Sequence, residues 1–223
     1  MEVAISHPWD VTLGEAKALQ AALSAKVSAS TSFDAVAVQT VAGVDVGLQG
    51  NMARAAVVVL GLPDLEPIEC VTAEVPVTFP YVPGLLAFRE APSVLAALGR
   101  LTNWPDLFIF DAHGHAHPRR MGLACHLGVV LDWPSIGCAK SRLVGTHAEP
   151  GNRFGDWVPL YDRSKIIGAV VRSRPGVKPV YVSIGHRVDL ATAVDFVLRC
   201  TRGYRLPETT RHAHRAASQA AMD

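Results

Sequence analysis

The chain has 223 residues, of which 49% are hydrophobic and 18% are charged, and its formal net charge is +1. This composition excludes an intrinsically disordered protein and leaves enough apolar residues for one domain with a large core. Because the net charge is close to zero, any nucleic-acid-binding surface must be a local patch. No apolar run approaches the roughly 18 residues of a membrane span, and the N-terminus lacks a signal-peptide pattern.

The N-terminal part predicts one helix and an antiparallel meander. Thr12 and Glu15 have the spacing of a capping box, and apolar residues follow at helical spacing, which predicts an amphipathic helix over residues 13–28. Three strand-like segments joined by short turns come next, and they predict the meander. These segments are Val41–Gly47, Arg54–Leu60 and Ile68–Val77.

From Gly84 onward the pattern alternates between helices and strands. Helical spacing continues to about residue 99, and Pro92 is expected to kink or restart this helix just past Glu90. A second helix is expected around residues 120–130, and the Gly- and Pro-rich residues 145–160 are expected to form a surface loop. Further strands are predicted at Leu107–Asp111, Ser135–Cys138, Ile166–Arg172 and Pro179–Val182.

Two helices are predicted to complete the chain. Asp189 caps the first, and Pro207 begins the second, which ends in an alanine-rich, frayed tail. No internal repeat or linker separates the elements, so we predict a single α/β domain over residues 1–223. The cysteines lie far apart in apolar surroundings without CxxC spacing, which indicates buried thiols in a cytoplasmic protein rather than disulfides or a zinc site. These cysteines are Cys70, Cys125, Cys138 and Cys200.

Two apolar strands each end on an aspartate. Asp45 interrupts an otherwise apolar run, and Asp111 closes the run Leu107–Phe110. An ionised carboxylate in such a place requires compensation, either from a backbone or arginine partner or from a bound cation. Because two strands carry the same pattern, we favour a hard cation such as Mg²⁺. Glu90 stands out as a third carboxylate between them.

Two further segments carry residues that suit nucleic-acid binding. Phe79–Gly84 holds Tyr81 between prolines, so the ring either stacks on a base or packs on its own domain. Ile136–Arg142 is a buried strand that emerges into a lysine and an arginine, which form either a phosphate contact or a solvated pair.

A histidine-rich segment offers a competing function. His113, His115 and His117 form an HxHxH pattern that, in extended backbone, can bind zinc, unless each imidazole bonds a backbone group. Arg119 and Arg120 follow and are predicted to open a helix and reach phosphates.

These segments together resemble endonuclease V, the inosine-directed nuclease family. The resemblance is carried by VAGVDVG with Asp45, FPYVPGLLAFRE with Glu90, DAHGHAHPRRMGLACHLG with Asp111 and IGCAKSRLVG with Lys140. The opening His7-Pro8-Trp9-Asp10 and the closing segment around Leu206–Arg211 also fit. The resemblance therefore covers about residues 7–216, in the family's order.

The resemblance implies a ribonuclease-H-like fold, in which a mixed sheet of antiparallel meander and parallel strands is flanked by helices. It implies a Mg²⁺-dependent endonuclease for DNA repair, with Mn²⁺ as a substitute metal. The substrate would be inosine-containing DNA, with RNA left open. Family members cut the second phosphodiester bond 3′ to the inosine and leave 5′-phosphate and 3′-hydroxyl ends. A monomeric protein is expected.

The resemblance also assigns roles to individual residues. The catalytic positions are Asp45, Glu90, Asp111 and His214, and the three acids among them are the expected metal ligands. The strand-separating wedge corresponds to Pro80, Tyr81, Val82 and Pro83, with Tyr81 at the tip. The base pocket corresponds to Gly84, Leu85, Leu86 and Ala112. Phosphate contacts are expected from Lys140, Arg119 and Arg211.

Helical geometry separates two histidines near the C-terminus. Arg211, His214, Arg215 and Ser218 fall on one face of the predicted helix, whereas His212 points to the other side. One departure from the family concerns Ala112, where Gly is usual, so a methyl group is expected to crowd the pocket wall. The competing functions are a zinc hydrolase that uses the HxHxH segment and a non-catalytic nucleic-acid-binding module. A pure binder has no use for three convergent acids, which repel phosphate.

Overall fold

The computed structural model describes residues 3–218, which form five helices and eight strands. The helices are α1 (Leu13–Ser24), α2 (Leu86–Leu98), α3 (Leu123–Leu131), α4 (Leu190–Arg199) and α5 (Glu208–Ser218). The strands are β1 (Thr40–Gln49), β2 (Met52–Gly61), β3 (Glu66–Pro76), β4 (Leu107–Phe110), β5 (Ser135–Ala139), β6 (Trp157–Asp162), β7 (Lys165–Val171) and β8 (Val180–His186).

All eight strands belong to one mixed sheet in the order β3-β2-β1-β4-β5-β8-β7-β6. The first three strands form the predicted antiparallel meander. Strands β1, β4 and β5 run parallel, and the remaining strands add antiparallel neighbours on the other side. The α/β fold with a meander and parallel strands, predicted from the sequence, is confirmed.

Helices cover both faces of this sheet. On one face, apolar residues of α2 and α3, including Val94 and Leu127, pack on Phe108 and Phe110 of β4. On the other face, α4 packs through Phe196 and neighbouring apolar residues, and α5 contributes Ala213. The central strands are therefore apolar on both sides, as expected for parallel strands between helices. Within residues 3–218, no helix has both the length and the apolarity needed to cross a membrane.

Several predicted boundaries were wrong. Helix α1 ends at Ser24 rather than at residue 28. Helix α3 begins at Leu123, because the chain turns at Arg120 with a positive φ of 57° that no helix accommodates. Arg119 and Arg120 therefore do not open a helix. Helix α2 runs through Pro92 as one element rather than restarting there.

The predicted loop over residues 145–160 was also wrong in part, since it contains the beginning of β6. This strand lies at the sheet edge and pairs with β7, and it tolerates Pro159 because an edge strand can leave one position without a backbone donor. The predicted frayed tail lies largely outside the described residues, which end at residue 218. The predicted burial of the cysteine thiols is confirmed for all of them except Cys70, which is exposed.

Candidate active site

The parallel pairing of β1 and β4 brings two carboxylates together. Val44 pairs with Phe110, so the residues that follow them, Asp45 and Asp111, lie side by side. Asp111 comes just after β4, but β1 continues past Asp45 to Gln49, so the prediction that Asp45 ends its strand was wrong. The Asp111 N–H also donates to the carbonyl oxygen of Val44 (2.9 Å). The convergence that the two apolar runs predicted is therefore produced by strand register.

Helix α5 reaches this point because β1 has glycines on either side of Asp45. Successive strand residues point to opposite faces, so Gly43, Asp45 and Gly47 share the face that meets α5. A Cβ atom on Gly43 would lie 2.0 Å from the carbonyl oxygen of Thr209, and one on Gly47 would lie 2.9 Å from that of Ala217. The two glycines therefore allow the helix to pack directly on the strand.

This close packing places His214 against the acids. Its Nδ1 lies 2.7 Å from Oδ2 of Asp45. Asp45, Asp111 and His214 each offer a ligand atom, and these atoms lie within 4.8 Å of one another. Among residues 3–218, this is the one set of three histidine, cysteine or acidic side chains whose ligand atoms lie close enough together to hold a metal ion. His212, by contrast, lies beside Glu208 at 3.7 Å.

Glu90 approaches the same site from α2. Burial, reinforced by the negative charges of Asp45 and Asp111, raises the pKa of Glu90 to about 8. Glu90 is therefore close enough to sense both aspartates, although it does not belong to the group whose ligand atoms lie within 4.8 Å. Its role as a metal ligand stays a prediction.

Lys140 supplies a positive charge next to Asp111. It follows the end of β5, and its Nζ lies 2.5 Å from Oδ2 of Asp111, whose side chain is only 4% exposed. Burial raises the pKa of Asp111, while the contact with Lys140 opposes this shift. The sequence indicated a basic residue at this strand end, and the structure places it within contact distance of the acids. We call Asp45, Glu90, Asp111, Lys140 and His214 the acid cluster.

A cavity of about 260 Å³ opens beside the acid cluster. Three of the four residues expected in the base pocket, Gly84, Leu86 and Ala112, line it. The side chain of Leu85 does not, because it is buried against Phe79 and Phe88. Tyr81 stands at the rim and is 69% exposed, as expected for a wedge tip. Pro80 and Pro83 are exposed beside it, and Val82 is partly buried.

We call this cavity the base cavity, after the pocket that the resemblance implies. Three side chains fix its wall at Gly84, because they all bond the Gly84 carbonyl. The Gly84 carbonyl oxygen accepts hydrogen bonds from Nε2 of Gln20 (3.0 Å), Nε2 of His117 (3.0 Å) and Nη2 of Arg119 (2.6 Å). The Nε of Arg119 also donates to Oε1 of Gln20 (2.6 Å). We call Gln20, His117 and Arg119 the carbonyl clamp. Gly84 has a φ of 80°, which glycine adopts without strain.

The carbonyl clamp adds one residue to those expected from the sequence. Two guanidinium nitrogens of Arg119 bond Gln20 and Gly84, and its expected phosphate contact stays a prediction. Gln20 is 1% exposed and was not recognised from the sequence, since a lone glutamine on an amphipathic helix carries no local signal. Its position on the buried face of α1 was the available hint.

The three histidines of the HxHxH segment do not form a metal site in the described part of the chain. His117 belongs to the carbonyl clamp, and its Nδ1 accepts the Arg119 N–H (3.2 Å), so its Nε2 carries the proton. The Nδ1 atoms of His113 and His115 are buried without a hydrogen-bond partner. Burial lowers the pKa of each imidazole, to about 4 for His117. The zinc hypothesis has no geometric support here.

Arg211 lies on α5, three residues before His214. Its guanidinium stacks 3.4 Å above the Tyr204 ring and pairs with Glu208 at 2.5 Å. Arg211, His214 and Arg215 line one shallow cavity, so the predicted cationic face of the helix exists. The expected phosphate contact of Arg211 stays a prediction.

Comparisons with known proteins agree with this geometry. The family model described as Endonuclease V matches residues 21–215. Endonuclease V of Roseiflexus castenholzii is 54% identical over 219 residues, which cover 98% of each chain. The crystal structure of Endonuclease V from Streptomyces avermitilis is 44% identical, with a TM-score of 0.90 and coverage of 96% of this chain and 94% of that one.

A structure with bound nucleic acid is also similar. Ciona intestinalis Endonuclease V in complex with a 23mer DNA containing an inosine followed by a ribo-adenosine is 29% identical. Its TM-score is 0.83, and the match covers 93% of this chain and 97% of that one.

Proposed function

We propose a function for this chain on the premise that it belongs to the Endonuclease V family, a family of nucleases that hydrolyse phosphodiester bonds. The protein is a divalent-metal-dependent endonuclease that recognises inosine in nucleic acid. It cuts the second phosphodiester bond 3′ to the inosine and leaves 5′-phosphate and 3′-hydroxyl ends. The observation that carries the proposal is the acid cluster directly beside a cavity of the size of a base.

The residues of the acid cluster fit a hard divalent cation. Asp45 and Asp111 offer carboxylate oxygens on neighbouring strands, with a histidine nitrogen beside them and Glu90 nearby. Oxygen-rich sites of this kind suit Mg²⁺ or Mn²⁺. When bound, such a cation supplies charge stabilisation at the phosphate and lowers the pKa of water. Burial, and after it the charges of neighbouring carboxylates, raises the pKa values of Glu90 and Asp111, so positive charge is favoured at this place.

Other residues of the acid cluster act on the phosphate and its protons. Lys140 can place its ammonium group on a phosphate oxygen next to Asp111. His214 is exposed and bonded to Asp45, so it can orient a water or protonate the leaving oxygen. Both roles match the positions that the family resemblance assigned.

The base cavity favours hypoxanthine over adenine for a physical reason. Leu86 and Ala87 line the cavity at the start of α2, where backbone N–H groups have no partner within the helix. Such donors suit the keto oxygen of hypoxanthine, whereas adenine presents its own amino donors at that position. Reading a base in a duplex requires its extrusion, and a mismatched base costs least to extrude. Tyr81 at the rim is placed to fill the gap that the extruded base leaves.

Cleavage of matched oligonucleotides tests this function. DNA and RNA strands with and without one inosine are incubated in Mg²⁺ and in EDTA. We expect a single cut, at the second bond 3′ to the inosine, in Mg²⁺ alone. Equal cutting of strands without inosine would contradict the base recognition, and cutting in EDTA would contradict the metal dependence.

A further inference from the structure

A second cavity, of about 670 Å³, lies along the same edge of the sheet as the acid cluster. We call it the basic cleft. Its charged residues lie between β5 and β6, just after β7, before β8 and in the segment that precedes α5. They are Lys140, Arg142, Glu149, Arg172, Lys178 and Arg205.

Strand order explains why the basic cleft adjoins the active site. Strands β5 and β8 pair antiparallel, with Ala139 opposite Tyr181, so the end of β5 meets the start of β8. Lys140 therefore lines the basic cleft while its Nζ contacts Asp111. Ser141 and Arg142 line both the basic cleft and the base cavity. The two cavities are thus separated by one short segment of chain.

Two arginines hold the walls of the basic cleft. The Arg205 guanidinium donates to the carbonyl oxygens of Lys178 (2.8 Å), Pro179 (2.9 Å) and Lys140. Arg172 is 7% exposed and pairs with Glu149 at 2.6 Å. The one carboxylate of the basic cleft is therefore neutralised, and the walls are fixed before any ligand arrives.

Two other cations are free to bind a ligand. Arg142 and Lys178 are exposed, and neither forms an ion pair with a carboxylate within residues 3–218. With five basic residues and one acidic one, the basic cleft has a net positive charge although the whole chain has a charge of only +1. Such a local patch is the feature expected of a phosphate-binding surface in a nearly neutral protein.

We propose that the basic cleft binds the sugar–phosphate backbone of the strand whose modified base enters the base cavity. This inference rests on the proposed function for the identity of that strand. Arg142 and Lys178 contact phosphates of the nucleotides that flank the cleavage site. The basic cleft therefore adds affinity that depends on salt and not on sequence, whereas the base cavity supplies the recognition.

Binding measured against salt concentration tests the proposal. Fluorescence anisotropy in EDTA gives the affinity of a labelled single-stranded inosine oligonucleotide for wild type and for Arg142→Ala/Lys178→Ala. Each lost phosphate contact should reduce the slope of log affinity against log salt by about 0.7 for a single strand. We therefore expect the double variant to bind more weakly, with a shallower slope. An oligonucleotide without inosine should show the same change in slope.

A matched control removes the same charge elsewhere. Lys26 is exposed near Ser28, which bonds His186 at the far end of β8, and Arg100 is exposed just after α2. Lys26→Ala/Arg100→Ala should keep the wild-type slope. If Arg142→Ala/Lys178→Ala keeps that slope as well while wild type cuts inosine strands, the proposal is wrong and the proposed function stands. If wild type does not cut them, the proposed function fails independently of the slope.

Discussion

The acid cluster and the base cavity adjoin on one edge of the sheet but are held together by opposite means. In the acid cluster, burial and the proximity of like charges raise the pKa values of Glu90 and Asp111. Backbone register and the close packing of α5 keep these groups together in spite of their repulsion. In the base cavity, buried polar groups satisfy one another through the carbonyl clamp.

This difference separates activity from stability. Replacing one aspartate by asparagine removes a repulsion, while the amide oxygen can still accept a hydrogen bond from His214 or Lys140. The change should therefore abolish catalysis without weakening the fold. Removing one member of the carbonyl clamp leaves buried polar atoms without partners, so it should weaken both binding and the fold.

Neutralising Asp45 is expected to have the largest effect. Asp45→Asn should lower cleavage about 10³-fold, because roughly 4 kcal/mol of transition-state stabilisation depends on metal-held charge. Asp111→Asn should behave similarly. The free energy of unfolding in EDTA should stay equal to that of wild type or rise. Cleavage at the wild-type rate, or a clear loss of stability, would contradict the assignment.

The neighbouring histidines of α5 should differ in their effect on turnover. His214→Ala should slow single-turnover cleavage roughly 10²-fold, because His214 contacts Asp45 and is placed for proton transfer. His212→Ala is the matched control on the same helix and should stay close to wild type. If His212→Ala is the damaging change, the proton-transfer role of His214 is wrong.

Breaking the carbonyl clamp should weaken both recognition and stability. Gln20→Ala leaves the partly buried Arg119 Nε without its acceptor and the Met121 carbonyl without the buried donor from Gln20, so it should lower the free energy of unfolding by about 1–3 kcal/mol. Cleavage of inosine strands relative to adenosine strands should also become less selective, which a purely structural loss would not produce. Gln39→Ala, at an exposed position, is the control. Unchanged selectivity would show that Gln20 supports only the fold.

Removing the exposed ring of Tyr81 should affect binding alone. Tyr81→Ala should weaken binding to an inosine duplex by about 1–2 kcal/mol, in the range measured for base stacking. Stability should not change, because the ring is 69% exposed. Tyr161→Ala removes a comparable exposed ring from the far edge of the sheet. Equal affinities for wild type and Tyr81→Ala would mean that the tyrosine has no wedge role.

Stability should respond to pH with opposite signs through Glu90 of the acid cluster and through two buried histidines, His117 of the carbonyl clamp and His126 of α3. Each group contributes at most about 1.4 kcal/mol per pH unit. Without metal, Glu90 has a folded-state pKa of about 8, above its ordinary value, so its unfavourable contribution grows as pH rises toward 8. Burial lowers the pKa of His117 to about 4 and of His126 to about 3. The stability that these two neutral histidines contribute is therefore fully present above about pH 6.5. It is lost as pH falls below this value, because the unfolded chain takes up protons that the folded protein does not.

Unfolding in EDTA at pH 7.5, 6.5 and 5.5 measures these contributions. In wild type, Glu90 adds stability as pH decreases, because it takes up a proton in the folded state. Glu90→Gln lacks this gain, so the free energy of unfolding of the variant should fall more steeply than that of wild type as pH decreases. His126→Asn removes a buried imidazole and should fall less steeply. Parallel curves for the three proteins would contradict the assignment of these pKa shifts.

Much of this molecule was predictable from local patterns. Apolar runs with short turns predicted the meander, and the two runs that end on Asp45 and Asp111 predicted where acids meet. Parallel strands carry this information because residues in register on neighbouring strands lie side by side. Helical spacing likewise separated His214 from His212. The Gly-x-Asp-x-Gly pattern around Asp45 held a further signal, since glycines two positions to either side mark the face on which a helix packs closely.

Tertiary structure alone decided the remaining features. Residues 157–160 form a strand because β7 lies beside them, although their composition indicated a loop. His117 and Arg119 looked like ligands for metal and phosphate, yet both bond the Gly84 carbonyl, more than 30 residues away along the chain. Gln20 joins Arg119 across 99 residues. A local pattern records periodicity and strand ends, but it holds no record of which distant polar groups must satisfy each other once they are buried.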